Sequence, residues 1–337
     1  MRNSKIDILR FVGLAMIIAA HSGLPSVLYQ LRNFDVPLMV LVSGMSFGLS
    51  YKSNETYFMY LWKRFKRLVI PVWIFLTFYF IVLWLFIPGS SDLQIDKIIS
   101  SYSLERGIDF VWIIRVFFLV ALVSPLMFSF HKRTDCQKKY FLFFALIYLA
   151  YEILRLYSLP YIQEGAGKSI SLISHYIIPY AVIFAIGLRI PQLSKNQVGF
   201  LSALNLGIAV LLGIGLSFAS GKIVPTQAYK YPPSIYYFSY ALFVACFLWV
   251  HKELLERLIE IFRIKSFVLF CARNSIWIYL WHIPAVKAVD ANYIVKFFIA
   301  FSSAVIITYM QVSVVEYFLQ VMPNDTMKRN IKAVFAG

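Results

Sequence analysis

The chain has 337 residues, of which 60% are hydrophobic, 18% aromatic and only 14% charged, with a mean hydropathy of +0.73. Soluble domains sit nearer a quarter charged, so this composition excludes an ordinary soluble fold. The 32 Lys and Arg against 16 Asp and Glu give a formal charge of +16; the cations fall in short clusters between apolar runs, which favours loops held on the cytoplasmic face over nucleic-acid binding.

Runs of about 20 apolar residues predict spans at 8–28, 34–51, 69–87, 109–130, 140–157, 171–188, 198–219, 234–251, 267–285 and 293–318. The expected fold is all-α, a polytopic integral membrane helical bundle of about ten transmembrane helices. It forms one domain over 1–337 with no appended soluble domain. Alternate connections collect 22 of the 32 cations and the opposite loops eight, with Arg115 and Lys296 inside spans. That asymmetry places both termini in the cytoplasm. Arg2 and Lys5 before an apolar run also fit the start of a secretory signal peptide; Arg10 interrupts that run and no A-x-A site follows, so it reads as a retained span. Two basic segments, 57–68 and 252–264, read as helices along the membrane surface. Cys136, Cys246 and Cys271 contain no C-x-x-C pair, so neither a disulfide framework nor a metal site is expected.

Ionisable side chains inside spans are costly and mark functional positions. In ILRFVGLAMIIAAH, residues 8–21, Arg10 and His21 are separated only by apolar residues. Eleven residues at about 100° each bring both side chains to one helix face, roughly 16.5 Å apart along the axis. A permanent cation at one end and an imidazole at the other suit an elongated ligand with an anionic head and a reactive tail, and an imidazole exchanges protons near neutrality. The bland alternatives are a core histidine bonded to a neighbouring helix and an arginine snorkelling to the interface.

Arg64 and Arg67, at i and i+3 in LWKRFKRLVIP, share a face and form either a phosphate clamp or a basic membrane anchor. Asp35 heads the second run, and Glu152 with Arg155 reads as a self-neutralising i, i+3 pair. Asp109 and Arg115 flank Trp112, and His175, Gln311 and Glu316 are scattered. His282 closes NSIWIYLWH, toward the outer end of its span, where it would meet His21 from an opposite wall; an interfacial histidine beside Trp281 is the alternative.

Taken in order, these segments resemble the acyltransferase-3 family of integral membrane O-acyltransferases, the bacterial enzymes that acetylate surface polysaccharides. The resemblance rests on the basic residue and histidine of KIDILRFVGLAMIIAAHS, on FDVPLMVLVSGMSFG with Ser43 and Gly44, and on Arg64, Arg67 and Pro71. DFVWIIR with Trp112 and Arg115, KYPPSIYY at 230–237, and NSIWIYLWH with Tyr279 and His282 complete it. It implies acetyl-CoA or another acyl-CoA as donor and a glycan or lipid-linked saccharide as acceptor, in the cell membrane and among its lipids. It also implies that His21 is the catalytic base or acyl carrier, with Arg10 supporting it. Arg64, Arg67 and Ser43 would then serve the donor, while Trp112, Arg115, Tyr279 and His282 would serve the acceptor. Tyr279, Ser43 and backbone amides are the candidate oxyanion donors. The alternatives are a transporter or flippase of a polysaccharide intermediate, because polar residues along a bundle also describe a substrate path, and an inactive scaffold.

Overall fold

The computed structural model describes residues 3–51 and 55–336; Arg2 and Lys52, two of the cations counted above, lie outside the described residues. Among the described residues there is no strand, only an isolated bridge between Lys230 and Pro233. The α-helices are, in order, α1 (Ser4–His21), α2 (Ser26–Leu31), α3 (Asp35–Ser50), α4 (Tyr57–Phe86), α5 (Ile95–Tyr102), α6 (Trp112–Arg133), α7 (Gln137–Ser158) and α8 (Gly165–Arg189). They continue with α9 (Lys195–Ser220), α10 (Ile235–Val250), α11 (Lys252–Ile261), α12 (Lys265–Arg273), α13 (Ser275–Ala288), α14 (Tyr293–Val321) and α15 (Asp325–Phe335).

Among the described residues seven helical segments are long and apolar enough to cross a membrane, or eight if α10 and α11, bent by 61°, count as one. Each departure from the expected ten has a local cause. α1 is only 18 residues long and includes Lys5, Asp7 and Arg10. The run at 267–285 breaks at Asn274, whose Nδ2 donates back to the Phe270 carbonyl at 3.0 Å, leaving α12 at 9 residues and α13 at 14. An asparagine that bonds its own backbone competes with helix continuation in this way. Segment 57–68 is no separate surface helix, because α4 runs unbroken for 30 residues through Pro71. Arg64 and Arg67 therefore ride on the same rod as the span.

The chain divides into two compact units. The first comprises residues 1–16, 25–53 and 122–266, and its centre is α3 against α8. A Cβ at Gly44 would strike the Phe184 carbonyl oxygen, and one at Gly187 the Leu41 carbonyl oxygen. Close backbone approach at small residues is how apolar helices gain contact where no hydrophobic drive exists between them. Glu152 and Arg155 pair as expected, Arg155 Nε donating to Oε1 at 3.1 Å, while Glu152 Oε2 also accepts from the Ile235 amide at 3.0 Å. The pair thus caps the start of α10 as well as neutralising itself.

The second unit comprises 17–24, 54–121 and 267–337, with α13 packed against α4 and α14. Indole and amide hydrogen bonds fix α13. Trp277 Nε1 donates to the Val334 carbonyl and Trp281 Nε1 to Gln311 Oε1, both at 2.8 Å. Gln311 Nε2 donates in turn to the Phe335 carbonyl at 2.9 Å. The loop before α6 turns sharply, with positive φ at Leu104, Gly107 and Asp109. At Gly107 a side chain would collide with Ser101, whose Oγ accepts from the Ile108 amide at 3.0 Å. This turn sets Phe110 in place.

Candidate active site

His21 is the last residue of α1, and its Nδ1 lies 2.8 Å from Nε2 of His282 on α13. The two imidazoles lie edge to edge and nearly coplanar, centroids 5.1 Å apart and 16° from parallel, with Phe110 perpendicular to His21 at 4.6 Å. His282 is fully buried, and its Nδ1 bonds the Tyr279 carbonyl. A carbonyl only accepts. His282 must therefore carry its proton on Nδ1 and present a lone pair at Nε2. His21 Nδ1 is then the donor between the rings, and the remaining lone pair of neutral His21 sits on Nε2. This tautomer is assigned from the hydrogen-bond chain, and it makes Nε2 the basic atom of the site.

Two further residues marked in the sequence hold the wall of this site. Tyr279 donates its hydroxyl to the Phe110 carbonyl, and Arg115 Nη1 donates to the Leu104 carbonyl at 3.2 Å. Both tether the turn that carries Phe110. The Tyr279 hydroxyl proton is engaged at that turn. Trp112, at the first position of α6, is half-buried.

Behind Phe110 stands an ion cluster. Lys287 bonds Asp92, and its ammonium lies 5.6 Å from the Phe110 ring centroid and 5.8 Å from that of Tyr79. Asp92 also accepts from the Tyr79 hydroxyl at 2.8 Å and from Lys97 at 3.4 Å. Burial alone would raise the Asp92 carboxyl, but hydrogen bonds from Lys287 and Tyr79 outweigh it and hold the group below its ordinary 3.8. A carboxyl with a depressed folded pKa stabilises the fold above its unfolded pKa, and that contribution is lost as pH falls through the folded value. The thermal midpoint of the detergent-solubilised protein should accordingly fall as pH drops below about 4. Asp92→Asn should lower the midpoint at pH 7 and flatten that acid slope; an unchanged midpoint would remove the cluster from the stability account.

Arg10 is held on both sides, Nη1 by Asp7 Oδ1 at 2.9 Å and Nη2 by Ser46 Oγ at 2.6 Å. Ser43, three residues before Ser46 on α3, turns its hydroxyl back to the Val40 carbonyl at 2.8 Å. On α4, Arg64 stacks over Tyr60 at 5.3 Å, Lys63 pairs with Glu55, and Lys66 donates to Asn330 at 2.7 Å. Arg67 is exposed and makes no ion pair among the described residues. Among those residues no group of three or more His, Cys, Asp or Glu is placed to hold a metal ion.

Phe110, Asp92 and Lys287 were missed in the sequence. Lys287 had a usable signal, a cation one and a half turns beyond His282 on the same apolar segment; Asp92 in its short turn had none.

Among the described residues, seven apolar helices long enough to cross a membrane and a hydrogen-bonded histidine pair beside aromatic rings make this a polytopic helical membrane protein. A family model described as "Acyltransferase domain" matches residues 3–314, nearly the whole chain. The chain belongs to the acyltransferase-3 family, which makes it a membrane acyltransferase. No curated protein and no solved structure matches it.

Proposed function

We propose that the protein is a bacterial O-acetyltransferase of the cell membrane, moving an acetyl group from cytoplasmic acetyl-CoA to a hydroxyl of a cell-surface or lipid-linked saccharide. The whole chain acts as one transmembrane domain with both termini in the cytoplasm. The observation that carries this reading is the bond of His21 Nδ1 to His282 Nε2; with the tautomer assigned above, the basic Nε2 of His21 is the nitrogen not engaged with His282. Nε2 takes the acceptor hydroxyl proton as that oxygen attacks the thioester carbonyl. When the tetrahedral intermediate collapses, the C–S bond breaks and CoA leaves as a thiol carrying the proton that Nε2 returns. Throughout, His282 stays neutral and shares the transient charge of His21 through the bond to Nδ1. Trp112, with the turn tethered by Tyr279 and Arg115, shapes the approach of the acceptor.

The same nitrogen serves a two-step route in which Nε2 itself attacks the thioester and carries the acetyl group. Labelled acetyl-CoA supplied without acceptor separates the two: label held by the acid-quenched protein means a carrier, and no label means direct transfer. Purified protein with labelled acetyl-CoA and candidate glycans tests the reading as a whole. Acetylated glycan is expected, whereas a protein that never binds acetyl-CoA would point to transport.

Arg64 and Arg67 serve the donor phosphates in this mechanism. Support comes from Arg67, a guanidinium on a helix face shared with Arg64 and without a carboxylate partner among the described residues. A charge-assisted hydrogen bond is worth about 1.5 to 3 kcal/mol, so Arg67→Gln should raise the KM for acetyl-CoA by roughly 10- to 100-fold and leave kcat near wild type. Steady-state kinetics at saturating acceptor check this; a fall in kcat alone would place Arg67 elsewhere in the cycle.

A further inference from the structure

The first unit carries an apolar groove lined by none of the residues assigned to the transfer. It has a volume of about 1020 Å³ and runs along α9 beside α2 and α10, with Leu31, Val210, Ile214 and Phe218 among its lining residues. From Leu206 to Phe218 it follows α9 for about 18 Å, close to half the roughly 30 Å hydrocarbon core of a bilayer. Its length is therefore that of one leaflet.

The groove ends where α9 ends, and there its character changes. Lys222, one residue beyond the left-handed Gly221 cap, lines the mouth, is exposed and has no ion-pair partner among the described residues. Hydrogen bonds build the rim: the Val224 amide donates to Ser217 Oγ at 3.2 Å, and the Tyr236 hydroxyl donates to the Val224 carbonyl at 2.9 Å. Gln30 and Thr226 are among the polar residues of the wall. Gln30 accepts from the Gln227 amide at 3.2 Å, and Thr226 accepts from Asn33 Nδ2 at 3.0 Å.

A buried ion cluster adjoins that wall, with Arg32 next to Asn33 in the chain and Lys230 four residues after Thr226. Arg32 Nη1 bonds Asp35 at 2.8 Å and Lys230 lies 3.7 Å from the same carboxylate, so two cations face one anion. All three side chains are at least nine-tenths buried, and among the described residues Arg32 Nε and Asn33 Oδ1 have no hydrogen-bond partner. Burial pushes the Lys230 ammonium down to about 8 against the pull of Asp35. A buried surplus of positive charge attracts an anion.

We propose that this groove is a binding site for an anionic membrane lipid, its chain lying along α9 and its phosphate at the Lys222 mouth. An apolar slot one leaflet deep, with a cationic mouth and a second positive field behind the polar wall, matches an amphiphile and not a free anion. The site stands independently of the transfer chemistry.

The test is native mass spectrometry of the full-length, detergent-solubilised protein titrated with phosphatidylglycerol, phosphatidylcholine or inorganic phosphate. One phosphatidylglycerol should be retained in preference to phosphatidylcholine. One interfacial lysine is worth about fivefold in affinity for an anionic lipid, so Lys222→Gln should weaken retention by about that factor and Lys222→Arg should restore it. Ile214→Trp, which fills the groove, should abolish retention, while His21→Ala should leave it unchanged. Equal retention of both lipids, or retention indifferent to Lys222→Gln and Ile214→Trp, would overturn the proposal. So would inorganic phosphate binding as well to Ile214→Trp as to wild type, since that describes an anion site without a lipid.

Discussion

His21→Ala should reduce acetyl transfer by about 10² to 10⁴, the usual contribution of a positioned general base, and leave acetyl-CoA binding within about twofold. The asymmetry follows from where the ring sits. His21 ends α1 and touches His282 and Phe110, so its loss removes a proton acceptor without disturbing the arginines assigned to the donor. Transfer to glycan and equilibrium binding of acetyl-CoA, measured on one preparation, give the two readouts. Full activity in His21→Ala would defeat the mechanism, and joint loss of binding and transfer would move His21 into the donor site.

His282→Ala should cost about 10² in kcat, less than the 10⁴ seen where a triad histidine is forced into the wrong tautomer. In the proposed mechanism His282 acts as a positioning residue: its Nδ1 bonds the Tyr279 carbonyl, and its Nε2 faces the Nδ1 of His21. Removal frees His21 to populate both tautomers and takes away the acceptor that shares its transient charge. With five histidines in the chain, ¹⁵N-histidine spectra can follow this directly. Wild-type His21 should show a protonated Nδ1, and the variant an average of both forms. His282→Gln, which offers an amide oxygen, should recover part of the rate. A variant that loses activity while the His21 signature stays put would mean the pair is structural.

Much of this site was visible as spacing. The interval from Arg10 to His21 declares one face because α1 is a continuous helix over both residues, and NSIWIYLWH gave His282 a position from which to reach His21. Spacing also overreached. It read 267–285 as one span because composition does not register that Asn274 prefers its own backbone, and it detached 57–68 from a helix that passes straight through Pro71. What it had no means to see were long-range polar unions. Asp92 with Lys287 and Asp35 with Lys230 join residues nearly 200 positions apart, and no local periodicity encodes such a pairing. The bond of the Ser43 hydroxyl to the Val40 carbonyl of its own helix is equally invisible to residue spacing.

The manner in which Arg10 is held bears on how the protein is made. Asp7 is three residues away on the same helix, but Ser46, the other partner, lies 36 residues further along the chain. As α1 leaves the ribosome it is short, carries three ionic side chains and has only half of its internal compensation, which makes it a poor free-standing insertion signal. On the expectation that α1 crosses the membrane, its stable integration would wait for α3 to be synthesised, with the two segments entering the bilayer as a hairpin. A reporter fused after residue 24 should therefore integrate badly where one fused after residue 51 integrates well.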